Sequence, residues 1–229
     1  MVLDLFSGLG GWSQAFKDRG HSIITIDNEP KFKPTICRDI MELKPDYFKD
    51  DEGININFDI VLASPPCNCF SVASVYRHWD KDTKKPKDEA TRQAIRLIGH
   101  TLNLIMNIQP RFWILENPRG MLRRVLGPPA VTTYFASWAT EEEISIRRAA
   151  IRDYRPGSRT KKPTDLWGVI PKGIKWKEPK EWLAAPRGSS RGTQGLKDAA
   201  LRAKIPYELS KVICLACEKE ILGVKKGGA

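Results

Sequence analysis

The chain has 229 residues, 41% of them hydrophobic and 28% charged, the make-up of one globular domain with room for a small annex. It lacks any run of about 18 uncharged apolar residues, which excludes a transmembrane helix, and Met1 leads straight into an apolar strand pattern, so no signal peptide is expected. The net charge of +11 is lopsided: residues 1–118 carry 15 basic and 16 acidic side chains, residues 119–229 carry 23 and 11, so the second half reads as a face for a polyanion or as a solvated basic surface without a partner.

In chain order, Val2–Phe6 reads as a buried strand and Gly11–Arg19 as a helix with Trp12, Ala15 and Phe16 inward. Ser22–Asp27, Phe58–Ser64 and Arg111–Glu116 read as further buried strands. Asp88–Ile108 has helical spacing, with Ala94, Leu97, Ile98, Leu102, Ile105 and Met106 on one face, and stops before Pro110. This rhythm predicts βαβ units and a mostly parallel α/β sheet, whose ligands sit at the carboxyl ends of the strands. Val131–Trp138 is expected as another strand and Glu141–Arg152 as a charged helix. Residues 155–195 read as loop, broken by five prolines, with lysine or arginine alternating with tryptophan. A final helix is expected over Pro206–Leu222, with Leu209, Val212, Ile213, Ala216 and Ile221 inward. The expected division is a core at 1–167 with an insertion at 139–157, a small basic segment at 168–202, and a returning C-terminal helix at 203–229.

Four strand ends carry the chemistry. Glycines 8, 10 and 11 follow the first strand, where the backbone must turn sharply and approach a ligand; a plain tight turn would use the same residues. Asp27 ends the second strand, the place of a ribose-binding carboxylate or of an ordinary surface aspartate. Cys67 follows two prolines after the third apolar run, a nucleophile's position or that of a small buried hydrophobe. Glu116 emerges from Phe112–Leu115, where burial would raise its pKa and keep it able to donate a proton; a strand-end carboxylate in water or on a helix N-terminus would occupy the same position. Cys214 and Cys217 have CxxC spacing but fall inside the last helix and read as core. Five unpaired-looking cysteines indicate a reducing interior, and three scattered histidines argue against zinc.

Together, Asp4-Leu5-Phe6-Ser7-Gly8-Leu9-Gly10-Gly11, Ser64-Pro65-Pro66-Cys67 and Glu116-Asn117-Pro118 resemble the carbon-5 DNA cytosine methyltransferases, especially the short forms of phages and mobile elements. The resemblance runs over residues 1–120 and thins beyond. It implies a Rossmann-like S-adenosylmethionine-dependent methyltransferase sheet with helices on both faces and a small, irregular target-recognition annex. It also implies Pro66-Cys67 as the nucleophile adding to carbon 6 of a flipped-out cytosine, Glu116 at ring nitrogen 3, and Asn117 holding the loop. For the cofactor, S-adenosylmethionine, it implies Phe6, Ser7, Gly8, Gly10, Gly11, Asp27, Asn28, Asp39 and Ile40. Residues 71–87 correspond to the family's mobile loop, with Arg77 toward DNA, and Arg159, Lys161, Lys162, Arg187 and Arg191 are further candidates for DNA contact.

The sequence departs from the family in two places. The later arginine-rich motif has no clean match; Arg159–Trp167 is the nearest segment. Before the last helix only Ile205-Pro206 remains of the usual closing segment, which leaves the closing cofactor contacts open. The expected partner is double-stranded DNA, with no metal and no membrane, for a cytoplasmic monomer of a prokaryote or virus. A catalytically silent DNA-binding relative, and the same chemistry on RNA, stand as alternatives.

Overall fold

The computed structural model describes residues 1–49, 53, 56–72, 74–150, 159–183 and 199–226. In chain order the elements are β1 (Val2–Leu5), α1 (Ser13–Asp18), β2 (Ile23–Asp27), β3 (Ile36–Cys37), β4 (Ile60–Ala63), α2 (Val75–His78), α3 (Glu89–Ile108), β5 (Phe112–Pro118), α4 (Leu122–Leu126), β6 (Val131–Tyr134), α5 (Phe135–Trp138), α6 (Glu141–Ala150), β7 (Arg159–Thr160), β8 (Pro163–Val169), β9 (Trp182–Leu183), α7 (Ala199–Ala203) and α8 (Tyr207–Lys226). The main sheet has strand order β3-β2-β1-β4-β5-β8-β6, and β7 pairs with β9 separately. Within the main sheet β8 alone runs against the others. Strand order reverses beside β1, so the crevice at the carboxyl ends of β1, β4 and β5 is the expected ligand site of such a sheet.

Continuous apolar runs are what strands covered on both faces require. One face of the sheet packs Val2, Ile60, Ile114 and Leu166 under α1, α5 and α8, through Phe16, Phe135, Trp138, Leu209 and Ile213. The opposite face packs Leu3, Leu5, Val61 and Ala63 under α3 and the 3-10 turns that follow β3, through Leu104, Ile105, Ile40 and Leu43. Asp88 caps α3, its carboxylate accepting from the Thr91 N–H at 2.8 Å, and a left-handed Gln109 ends it. Cys214 and Cys217 are core, as expected, and burial pushes the Cys214 thiol up to about 12. Among the described residues no helix is long and apolar enough to cross a membrane.

Four expectations need correction. Met106 faces solvent, because the helical period that buries Leu104, Ile105 and Ile108 carries it off the inward stripe. Val131–Trp138 is strand only to Tyr134: Phe135, Ala136, Ser137 and Trp138 are all buried, which a strand's alternation does not allow, and they form one helical turn. The supposed loop at 155–195 contains β8, which pairs with both β5 and β6. Its proline sits at the first strand position, where no ladder is broken, and Gly168 is required because a Cβ there would collide with the Trp113 carbonyl. Finally, the segment read as basic residues alternating with tryptophan in a loop packs two of those tryptophans, Trp167 and Trp176, against the core. Trp167 is buried and donates to the Gly127 carbonyl at 3.1 Å, while Trp176 packs edge-on against Trp138 with centroids 6.1 Å apart.

The reversed strand carries a charge into the interior. Asp165, fully buried, takes two hydrogen bonds of 2.6 Å from Arg123 on α4 and one of 2.8 Å from the Thr132 hydroxyl. Replacing Arg123 by methionine strands that carboxylate. Because Arg123 stays about one-third exposed, the cost falls below the full value for a buried pair, at roughly 2–4 kcal/mol. Urea unfolding of the Arg123→Met variant measures it.

Candidate active site

β1 ends in a strained turn. Phe6 has φ 59, a left-handed backbone that a non-glycine residue adopts at a cost of about 1–2 kcal/mol, and Gly8 and Gly10 are left-handed too. The loop is tied to β2: the Ser7 N–H donates to the Ile26 carbonyl at 3.1 Å, and the Gly8 N–H donates to the Asp27 carboxylate at 2.8 Å. The other Asp27 oxygen accepts from the Glu29 N–H at 2.9 Å. Asp27 therefore shapes the glycine loop as well as closing β2, with lone pairs left on both oxygens. Gly11 lies so near the chain before α8 that a Cβ would stand 2.6 Å from the Ile205 nitrogen. Ile205 thus reaches the loop, and the Ser210 hydroxyl donates to the Trp12 carbonyl beside it.

Asn28 is exposed, and Asp39, also exposed, caps a 3-10 turn by accepting from the Met41 N–H at 2.9 Å. The Ile40 side chain points into the core with Leu43, which leaves only its backbone toward a ligand.

β4 and β5 position the two candidate reactive residues, Cys67 and Glu116. Cys67 is half-buried, two residues beyond the buried Pro65, while Pro66 is exposed. Asn117, fully buried, donates its amide to the Pro65 carbonyl at 3.0 Å and thereby fastens the β4 exit to β5. Glu116 is 5% exposed, and burial raises its pKa to about 7, against the pull of the nearby Lys162 charge and a hydrogen bond from Ser64. Ser64 in turn accepts from the Trp12 indole at 2.9 Å, so α1 braces the hydroxyl that serves Glu116.

Lys162 belongs to this site rather than to an outer basic face. It is 9% exposed, holds a left-handed backbone at φ 44, and lays its ammonium 3.9 Å from the Phe135 ring centroid. Lys161 beside it is exposed, as is Arg77 on α2. Arg159 lies in β7 by its backbone; Arg187 and Arg191 fall outside the described residues.

Sequence reading passed over Asp4. It is 1% exposed, and neither carboxylate oxygen has a hydrogen-bond partner among the described residues. Burial drives its pKa up to about 7, with Ser13 at the head of α1 opposing the shift and Asp27 adding to it. A charge in the middle of Val2–Phe6 was the available signal. Ser64 gave none, since a serine before Pro-Pro-Cys reads as an ordinary strand end.

Comparison with known proteins places these residues in context. The family model described as C-5 cytosine-specific DNA methylase matches residues 1–137. The chain is 29% identical over 181 residues to the "Probable DNA (cytosine-5)-methyltransferase" of Frog virus 3 (isolate Goorha), covering 77% of this chain and 76% of that one. It is 27% identical over 131 residues to the type II methyltransferase M.XorII of Xanthomonas oryzae pv. oryzae, covering 52% of this chain and 28% of that protein. For M.AplI of Arthrospira platensis the identity is 32% over 125 residues, covering 53% and 32%. The match therefore spans about a third or less of these two bacterial relatives.

An acid whose folded pKa lies above its unfolded value holds its proton more tightly in the fold. Asp4 and Glu116 therefore contribute stability in full below about pH 4, and lose it as pH climbs through about 7. Thermal melts should show Asp4→Asn gaining a few kcal/mol on the wild type between pH 4 and pH 8, with no gain at the acid end. Carboxyl carbon NMR should place the Glu116 midpoint near 7, and Lys162→Met should move it upward, since the cation favours the carboxylate.

Proposed function

Because this chain belongs to the C-5 cytosine-specific DNA methylases, we propose that it methylates carbon 5 of cytosine in DNA, using S-adenosylmethionine and a covalent bond from Cys67. The observation that carries the reading is the placement of Cys67 and Glu116 on adjacent strands: a half-buried thiol on the chain leaving β4, and near the end of β5 a buried carboxyl that burial keeps largely protonated up to about pH 7.

The cofactor loop fits its ligand. The turn Phe6–Gly11 is left-handed at Phe6, Gly8 and Gly10, Asp27 stands at the β2 end with acceptor capacity for ribose hydroxyls, and Ile205 lies against Gly11. When bound there, S-adenosylmethionine supplies an electrophilic methyl group on a sulfonium. Cytosine is a poor electrophile, so the protein's own groups must activate it. Glu116 donates a proton or hydrogen bond to ring nitrogen 3, which draws electrons from carbon 6 and lets the Cys67 thiolate add there. Electron density then collects on carbon 5, and loss of its proton after methylation expels the thiolate. Asn117 does not touch the ring; it holds the Pro65 carbonyl and so fixes where Cys67 points. The base has to leave the duplex stack to lie between the two groups. The described lysines 172, 175, 177 and 180 are exposed and supply phosphate-binding charge beside the core.

The test uses duplex DNA bearing 5-fluorocytosine, whose fluorine cannot leave as a proton does. The wild type should form a covalent complex stable to denaturing gel electrophoresis in the presence of cofactor. Cys67→Ser should form none while still binding DNA. An adduct persisting in Cys67→Ser, or none in the wild type, overturns the reading.

A further inference from the structure

At the amino ends of β1 and β2, across the sheet from the candidate active site, three donor atoms converge that the proposed chemistry does not use. His21 lies on the turn between α1 and β2, while Cys214 and Glu218 stand one turn apart on α8. An imidazole nitrogen, the Cys214 sulfur and a Glu218 carboxylate oxygen all fall within 4.8 Å of one another. His21 Nε2 is 2.8 Å from Glu218 Oε1, and Cys214 Sγ is 3.9 Å from the same oxygen. His21 and Glu218 are 197 residues apart in the chain, so no local spacing of ligands announces the cluster.

Each donor is held in place by a neighbour. The Phe16 ring meets the imidazole edge-on, with centroids 5.6 Å apart. Arg19 grips the carboxylate, Nη2 reaching Oε2 at 2.6 Å and Nε reaching Oε1 at 2.9 Å. Cys214 is fully buried, with its sulfur turned toward Glu218.

We propose that His21, Cys214 and Glu218 bind a divalent cation of the zinc class, which clamps α8 to the turn between α1 and β2. The proposal is independent of the reading of Cys67 and Glu116. A mixed nitrogen, sulfur and oxygen set suits zinc, whereas magnesium and calcium take oxygen ligands. Tetrahedral bonds of about 2.0–2.3 Å put neighbouring ligand atoms about 3.3–3.6 Å apart. The distances of 2.8 and 3.9 Å lie on either side of that spacing, so small side-chain movements reach it. Without a cation Nε2 and Oε1 share a proton; the metal takes its place, and the neutral imidazole carries its hydrogen on Nδ1. Burial keeps the Cys214 thiol protonated until then, and binding releases that proton to solvent. Arg19 can keep Oε2 while Oε1 turns to the metal, so it orients the carboxylate. His21 and Glu218 are 27% and 20% exposed, which gives the cation a way in and leaves the fourth position to water.

The experiment titrates the full chain, reduced and freed of metal by a chelator, with Co²⁺ and then with Zn²⁺. Co²⁺ should produce thiolate-to-metal charge-transfer absorption and the visible bands of a tetrahedral site at a single equivalent. Zn²⁺ should abolish both by displacement. Cys214→Ser should lose the charge-transfer band. His21→Ala, at a partly exposed position that leaves no core cavity, should bind Co²⁺ about a hundredfold more weakly. Cys37→Ser and Cys217→Ser remove sulfurs outside the cluster and should keep both band and affinity. Thermal melts should show Zn²⁺ stabilising the wild type more than His21→Ala. A charge-transfer band that persists in Cys214→Ser, unchanged affinity in His21→Ala, or no band in the wild type overturns the proposal.

Discussion

One hydrogen bond joins the two halves of the proposed reactive centre, and much of the rest is arranged around it. The Asn117 amide reaches from the end of β5 to the Pro65 carbonyl at the end of β4. Parallel neighbouring strands bring these exits side by side but do not fix the loops beyond them. Proline at 65 and 66 removes two backbone donors, so this stretch cannot secure itself through its own N–H groups. A buried amide with a single fixed partner does so. Because Asn117 is fully buried, the bond works in a low dielectric and resists competition from water. Glu116 precedes it by one residue and therefore inherits its position, as Cys67 inherits that of Pro65.

The sheet also carries buried charge: Asp4 on β1, Glu116 on β5, and Lys162 and Asp165 at the start of β8. Each carries a desolvation cost, and the fold treats them differently. Asp165 is neutralised outright by Arg123 and sits in a purely structural setting. Glu116 has a cation nearby, yet burial outweighs it and the carboxyl keeps its proton to about pH 7. That balance is what a proton donor at neutral pH requires, and a closer ion pair would abolish it. For Asp4 only Ser13, at the head of α1, opposes the desolvation among the described residues, and Asp27 adds to it. Its cost is borne directly beneath the glycine loop, where a bound cation would lower it.

How much could be read beforehand follows from the physics of each element. β1, β2, β4 and β5 were legible because strands buried on both faces are apolar throughout, and Asp27, Cys67 and Glu116 follow as their carboxyl ends. β3 is only two residues long and carries no periodic signal. β8 opens with Pro-Thr-Asp, polar residues that belong to loops unless a partner such as Arg123 is known, and that partner is 42 residues distant. Lys162 looked like any basic surface residue; its burial depends on Phe135, which comes from a segment that itself read as strand. Long-range pairing, rather than local propensity, is the common element of these misses.

The chain before α8 shows how little of a family's pattern is needed to keep its geometry. Ile205-Pro206 was the sole remnant of the closing segment, yet Ile205 sits against Gly11 at a distance no side chain would permit. The contact is backbone to backbone, so it specifies a glycine on one side and almost nothing on the other. Proline then starts the turn into α8, whose Ser210 hydroxyl reaches the Trp12 carbonyl, and Trp12 passes the connection to Ser64 and so to Glu116. A continuous run of contacts thereby links α8 to Glu116 through the glycine loop.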